Sequence, residues 1–161
     1  MNKMIFIFLI FISHSLLVIG QTPDLLIYKS DTIYIHNFPL EMLIEKDSLI
    51  AKTLNDTTCI AEDCIRQYIG IWKIQNDSLF LIGLKDCCEY DPIPLNKIFE
   101  NKKYIKNQKV FASWFSGVIR SGFGDNLRFS EDNWENVYEK TIELKVIKGR
   151  IDEIVITDTN K

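Results

Sequence analysis

The sequence predicts a mainly β protein: an antiparallel sheet, barrel- or sandwich-like, with about eight or nine short strands and one short α-helix. Three observations predict it. Beyond Gln21 the apolar residues recur with a period of two rather than the helical 3.6. β-rich runs repeatedly flank short turns built from Asn, Asp, Lys, Ser and Gly. One run, Val110 to Arg120, is apolar at successive positions and reads as a central strand covered on both sides.

The elements follow in order. DLLIY (Asp24 to Tyr28) and TIYIHNF (Thr32 to Phe38) flank Lys29-Ser30-Asp31 as a hairpin. Leu40 to Glu45 reads as one helical turn or an irregular link, and Ser48 to Leu54 as a strand. YIGIWKIQ (Tyr68 to Gln75) and SLFLIGLK (Ser78 to Lys85) flank Asn76-Asp77, the clearest hairpin in the chain. Ile93 to Lys103 is the helix candidate, with Pro94 in the first turn and Leu95, Ile98 and Phe99 on one face. Val110 to Arg120 follows, then a glycine-rich turn at Gly122 and Gly124, then Leu127 to Ser130. TIELKVI (Thr141 to Ile147) and RIDEIVIT (Arg150 to Thr157) form a last hairpin at Lys148-Gly149.

The chain has 161 residues and opens MNKMIFIFLIFISHSLLVIGQTPD. Lys3 precedes an apolar run from Met4 to Ile12, extended by Leu16 to Ile19, and Gly20 suits a cleavage site. Residues 1–20 therefore read as a signal peptide and residues 21–161 as a single β-rich domain. Without Lys3, 18 of the 19 basic side chains face 22 acidic ones. Interspersed charges of that balance offer no footprint for nucleic acid, and no later segment is apolar enough for stable membrane insertion after cleavage.

An exported chain matures in an oxidising compartment, so Cys59, Cys64, Cys87 and Cys88 read as disulfide partners. The two cross-pairings between the Cys59/Cys64 segment and Cys87/Cys88 rank above a strained vicinal bridge, and the spacing leaves the choice between them open. A metal site with Glu62, Asp63, Asp86, Glu89 or Asp91 is weaker, because the cysteine gaps do not match structural zinc spacing. Free or redox-active thiols are a further alternative, but there is no C-x-x-C.

His36 is the one histidine beyond the leader, with no nucleophile context around it, so it reads as an ordinary strand residue. No carboxylate pair stands out, and no catalytic residue, metal ligand or cofactor is assigned. Trp72 and Trp114 fall in strand patterns and read as core. Trp134 and Tyr138, in SEDNWENVYEK, are the candidate ligand contacts, since exposed aromatics are enriched at binding surfaces. Thr32, Ser48, Thr57 and Ser78 each follow an Asp and precede Thr or an apolar residue. That pattern resembles an O-glycosylation acceptor of exported bacterial proteins, but it also serves simply to start turns.

Cys64-x-Arg66-x-Tyr68-x-x-x-Trp72, NDSLFLIGL, the Cys87-Cys88 pair, VFASWFSGVIR and VYEKTIELKVIKGRI together resemble a group of small exported proteins of Bacteroidota-type bacteria. The resemblance implies an exported β-rich domain and supplies no catalytic residues. The expectation is an exported, non-catalytic binding or interaction module for a small molecule, glycan or partner protein, periplasmic or extracellular. The alternative is a periplasmic or secreted enzyme, either a carboxylate-based hydrolase or a thiol-redox protein.

Overall fold

The computed structural model describes residues 21–99, 104–131 and 135–159; residues 1–20, where the sequence suggests a signal peptide, and Trp134 lie outside them. With 53% of residues in strands and 14% in helices, the protein is mainly β. Among the described residues, ten strands form two sheets and close no barrel. One sheet has seven strands and the other three, and both contribute to one core, as in a sandwich.

The larger sheet begins with β1 (Asp24–Tyr28) and β2 (Asp31–Ile35), joined by the expected hairpin with Lys29 at φ 54°. The chain then forms α1 (Glu41–Ile44) and α2 (Ser48–Thr57) and returns as β3 (Tyr68–Ile74) on the far side of β1. That crossover makes β1 and β3 parallel, so this sheet is mixed rather than wholly antiparallel. β4 (Leu79–Asp86) pairs with β3 across a two-residue turn. Asn76 and Asp77 sit there at φ 49° and 50°, left-handed values that Asn and Asp tolerate. β5 (Pro92–Ile93) and β7 (Lys109–Phe111) both pair with β4, and β6 (Ile105–Lys106) pairs with β7.

The expected strand at Ser48 to Leu54 is instead α2. Asp47 accepts from the backbone N–H of Leu49 and Ile50 at 3.2 and 3.3 Å, an N-cap that starts the helix. Ile50 and Leu54, four apart, are its buried face. Helix-length packing overrides the β-branched character of the segment.

The expected helix over Ile93 to Lys103 is only α3 (Leu95–Ile98) within the described residues, because Ile93 pairs in β5 and residues 100–103 lie outside them. Ile98 and Phe99 are nonetheless buried, as its apolar face predicts.

The single central strand expected from Val110 to Arg120 is two strands in different sheets. After β7 the chain turns: Phe115 N–H donates to Ala112 O, and Gly149 N–H donates to Phe115 O. It then enters β8 (Gly117–Ser130), the edge of the second sheet. Val110, Phe115 and Ile119 are buried while Val118 is exposed, so this stretch is not covered on both sides. The expected turn at Gly122 and Gly124 is absent as well. β8 runs through it with bulges between Phe123 and Arg128, and Gly124 takes φ 82°.

β9 (Glu135–Ile147) and β10 (Arg150–Asp158) complete the second sheet, joined at Lys148-Gly149 as expected. Gly149 has φ 77°, and a Cβ there would lie 2.6 Å from the Ala112 carbonyl oxygen, so only glycine fits. Trp72, Tyr68, Leu26 and Leu81 of the first sheet meet Ile119, Ile142, Leu144 and Val146 of the second in the core. Fully burying a side chain of Leu size stabilises by about 1.5–3 kcal/mol, which makes this shared core the main support of the fold.

Candidate functional site

Two features gather polar and aromatic side chains: a groove on the second sheet and a buried polar clasp centred on Asp24 of β1. The groove arises from a missing side chain. Tyr138 on β9 lies across Gly122 on β8 so closely that a Cβ at Gly122 would sit 2.3 Å from Tyr138 Cδ2. The glycine lets the ring rest on the strand backbone. The ring borders a groove of about 490 Å³ with Asn136, Thr141, Arg120, Glu143 and Thr157, and a neighbouring recess of about 370 Å³ shared with Tyr34 and His36.

Its polar rim is ordered. Arg120 Nε pairs with Glu143 at 2.5 Å, with both side chains largely exposed, and Asn136 Oδ1 accepts from Asn126 Nδ2 at 3.1 Å. Asn37 fastens the groove to β2: its Nδ2 donates to Val118 O at 2.9 Å and its Oδ1 accepts from Arg120 N–H. Ser121 Oγ donates to Tyr34 O. These bonds hold the exposed Tyr34 and His36 beside the Tyr138 ring.

The clasp centres on Asp24, which is fully buried. Its Oδ1 accepts from Arg66 Nη1 at 3.0 Å and Gly70 N–H at 2.9 Å, and its Oδ2 accepts from Trp72 Nε1 at 2.9 Å. Arg66 also donates to Thr22 O and Tyr68 O, and its guanidinium stacks 3.6 Å over the Phe38 ring. Tyr68 OH donates to Glu41 Oε1 at 2.6 Å. Burial pushes the Asp24 carboxyl up to about 6, against the opposing pull of Arg66 and the two N–H donors. Burial, reinforced by Glu41, raises the Tyr68 hydroxyl. No atom of Asp24 reaches solvent, so its shift belongs to structure rather than to proton transfer with a substrate.

The cysteines form two bonds, Cys59–Cys88 and Cys64–Cys87, which selects one of the two cross-pairings left open. All four thiols are consumed. Asp86 shapes the receiving end: it accepts from Glu89 N–H at 2.9 Å and Cys88 N–H at 2.8 Å, and these bonds, Glu89 first, hold its carboxyl below the usual range. Cys64 and Cys87 pack with Ile69 in a small second cluster on the outer face of the large sheet. The bridges thereby hold the loop that presents Arg66 to Asp24. Among the described residues no group of three or more His, Cys, Asp or Glu side chains is placed to hold a metal ion.

Of the two candidate ligand contacts, Tyr138 is in the groove and Trp134 falls outside the described residues. His36 is exposed just past β2 rather than inside a strand, and joins Tyr138 at the recess. Trp72 is fully buried, and Trp114 is half-buried with Nε1 donating to Pro39 O at 2.9 Å. Of the Asp-led serines and threonines, Ser78 is buried and bonded to Arg150 and Asn76, and Thr57 Oγ1 donates to Thr53 O within α2. Asp47 and Asp77 do serve as helix cap and turn. Sequence reasoning missed Arg120, Asn136 and Gly122 in the groove and the whole Asp24 clasp. The one available signal for the clasp was an aspartate heading an apolar strand.

No family model, curated protein or solved structure matches this chain. The fold and its bonds therefore define the class: a two-sheet β domain stapled by two disulfides. Such staples suit an oxidising, extracytoplasmic environment. Among the described residues no helix is long and apolar enough to cross a membrane.

Proposed function

We propose that this protein is an exported, non-catalytic binding module, periplasmic or extracellular, that holds a hydroxyl-rich ligand of the glycan class in the Tyr138 groove. The observation that carries the reading is the Tyr138 ring laid on Gly122 and bordered by planar polar groups. A sugar ring has an apolar C–H face and a rim of hydroxyls. An aromatic ring accepts the face, and amide, guanidinium and carboxylate groups take paired hydroxyls in two-point hydrogen bonds. Asn136, Arg120 and Glu143 stand where such a rim would lie. The apolar leader and the two disulfides support the exported setting.

The test is a titration of the oxidised protein with a panel of neutral and acidic oligosaccharides, read by NMR shifts of the Tyr138 ring. A bound glycan should move those resonances, and Tyr138→Ala should weaken binding by about tenfold or more, roughly 1.4 kcal/mol, with the circular dichroism unchanged. The reading fails if no oligosaccharide perturbs Tyr138 at millimolar concentration, or if Tyr138→Ala binds as well as the parent.

A further inference from the structure

Two short strands share one edge of β4 and leave a gap between them. β5 pairs at Leu84 and Lys85, β7 pairs at Phe80 and Leu81, and the ladder on that edge lapses at Ile82 and Gly83. Proline keeps β5 short: Pro92 and Pro94 bracket Ile93, and neither has the N–H that a longer ladder would need. A groove of about 460 Å³ opens at the gap. Its lining is mostly aliphatic, from Ile71 and Ile82 on the sheet to Pro94 and Leu95 at the start of α3 and Ile105 on β6. Gly83 leaves room at the floor, where a Cβ would lie 3.3 Å from Ile71 Cδ1. Ile71 and Ile82 are half-buried and belong to neither cluster of the core, so an apolar ligand would remove their remaining surface from water.

We propose that this groove binds a free aliphatic carboxylate of the fatty-acid class, with its chain along Ile71, Ile82 and Ile105 and its carboxylate on Lys85 Nζ. The volume falls in the range of small-molecule sites, roughly 300–1,000 Å³. Two differences from the Tyr138 groove set the class of ligand. Among the described residues no aromatic ring lines the groove, so it offers an aliphatic chain a wall but gives the face of a sugar no platform. The charge is also unopposed. Arg120 beside Tyr138 is paired with Glu143, whereas Lys85 is the one charged residue among the described lining of this groove. Lys85 is half-buried, and among the described residues its side chain forms no ion pair or hydrogen bond. A lysine lays its apolar stem along such a wall and leaves its ammonium at the rim, where an anionic head completes it. Burial of the chain drives binding, and the unpaired ammonium selects an anionic head over a cationic one.

The experiment titrates the full oxidised chain with sodium decanoate at neutral pH, below the concentration at which decanoate self-associates, and follows the isoleucine δ-methyl groups by NMR. Two controls go alongside: decyltrimethylammonium, with the same chain and the opposite charge, and butyrate, with the same head and a short chain. Decanoate should move the Ile71, Ile82 and Ile105 methyl signals and leave the Tyr138 ring in place, which separates this site from the Tyr138 groove. Both controls should bind at least about tenfold more weakly. Lys85→Gln should weaken decanoate binding by a similar factor, with decyltrimethylammonium binding unchanged and the melting temperature close to the parent's. The proposal is overturned by any of three results: no shift of those methyl groups at millimolar decanoate, equal binding of either control, or decanoate binding to Lys85→Gln as tightly as to the parent.

Discussion

Asp24 shows how one side chain can organise a region. A buried carboxylate is costly unless hydrogen bonds and a counter-charge surround it. Arg66, Gly70 N–H and Trp72 Nε1 do so, and thereby join β1, β3 and the disulfide loop. The compensation is incomplete, because burial leaves the folded carboxyl at about 6 against an ordinary 3.8. The raised value means that the folded state holds the proton more tightly than the unfolded one. The associated stability is fully present below about pH 4 and is lost as pH rises through about 6, by on the order of 3 kcal/mol. Comparing the parent with Asp24→Asn by urea unfolding isolates this group from the other carboxylates. The parent's stability relative to the variant should decline between pH 4 and pH 7, and a flat difference across that range would contradict the assignment. Little of this was legible beforehand. Asp24 and Arg66 are 42 positions apart, and only the fold brings them to 3.0 Å.

At the scale of elements, hairpins with local turn chemistry were legible and segments decided by distant partners were not. Asn76-Asp77 and Lys148-Gly149 announce their turns because few residues accept left-handed backbone. Ser48 to Thr57 is rich in β-compatible residues, yet it is helical because Asp47 caps it and Ile50 and Leu54 reach the core one turn apart. Asp47→Ala should therefore cost about 1 kcal/mol in chemical denaturation. A change well under half of that would mean that packing alone maintains α2. The break between β7 and β8 is the converse case. Its residues alternate like one strand, but hydrogen bonds from Ala112 to Leu79 and from Gly149 to Phe115 turn the chain from one sheet to the other.

For the molecule as a whole, the two disulfides differ in their access to solvent. Cys59–Cys88 has Cys88 at the surface, whereas Cys64 and Cys87 are 1% and 6% exposed. Limited reduction followed by alkylation and peptide mass mapping should label Cys59 and Cys88 first, because exchange needs access for the attacking thiolate. Simultaneous labelling of all four would show that the molecule opens globally before either bond reacts. Replacing Cys64 and Cys87 together should lower stability by about 3 kcal/mol through the freed unfolded-state loop, and somewhat further through the lost cluster with Ile69.

By itself the sequence determined the mainly β class, the hairpins at 76–77 and 148–149, the preference for disulfides between the two cysteine segments, and Tyr138 as a candidate contact. Each depends on local information: side-chain period, residues that accept positive φ, or cysteine spacing. Only the tertiary structure decided the rest. The division into two sheets, the parallel β1–β3 pair, the choice of Cys59–Cys88 and Cys64–Cys87, the Asp24 clasp and the groove over Gly122 all arise from contacts between residues far apart in the chain. Such contacts leave no periodic trace, because each partner alone fits an ordinary strand or loop and acquires its role only when core burial brings the other beside it.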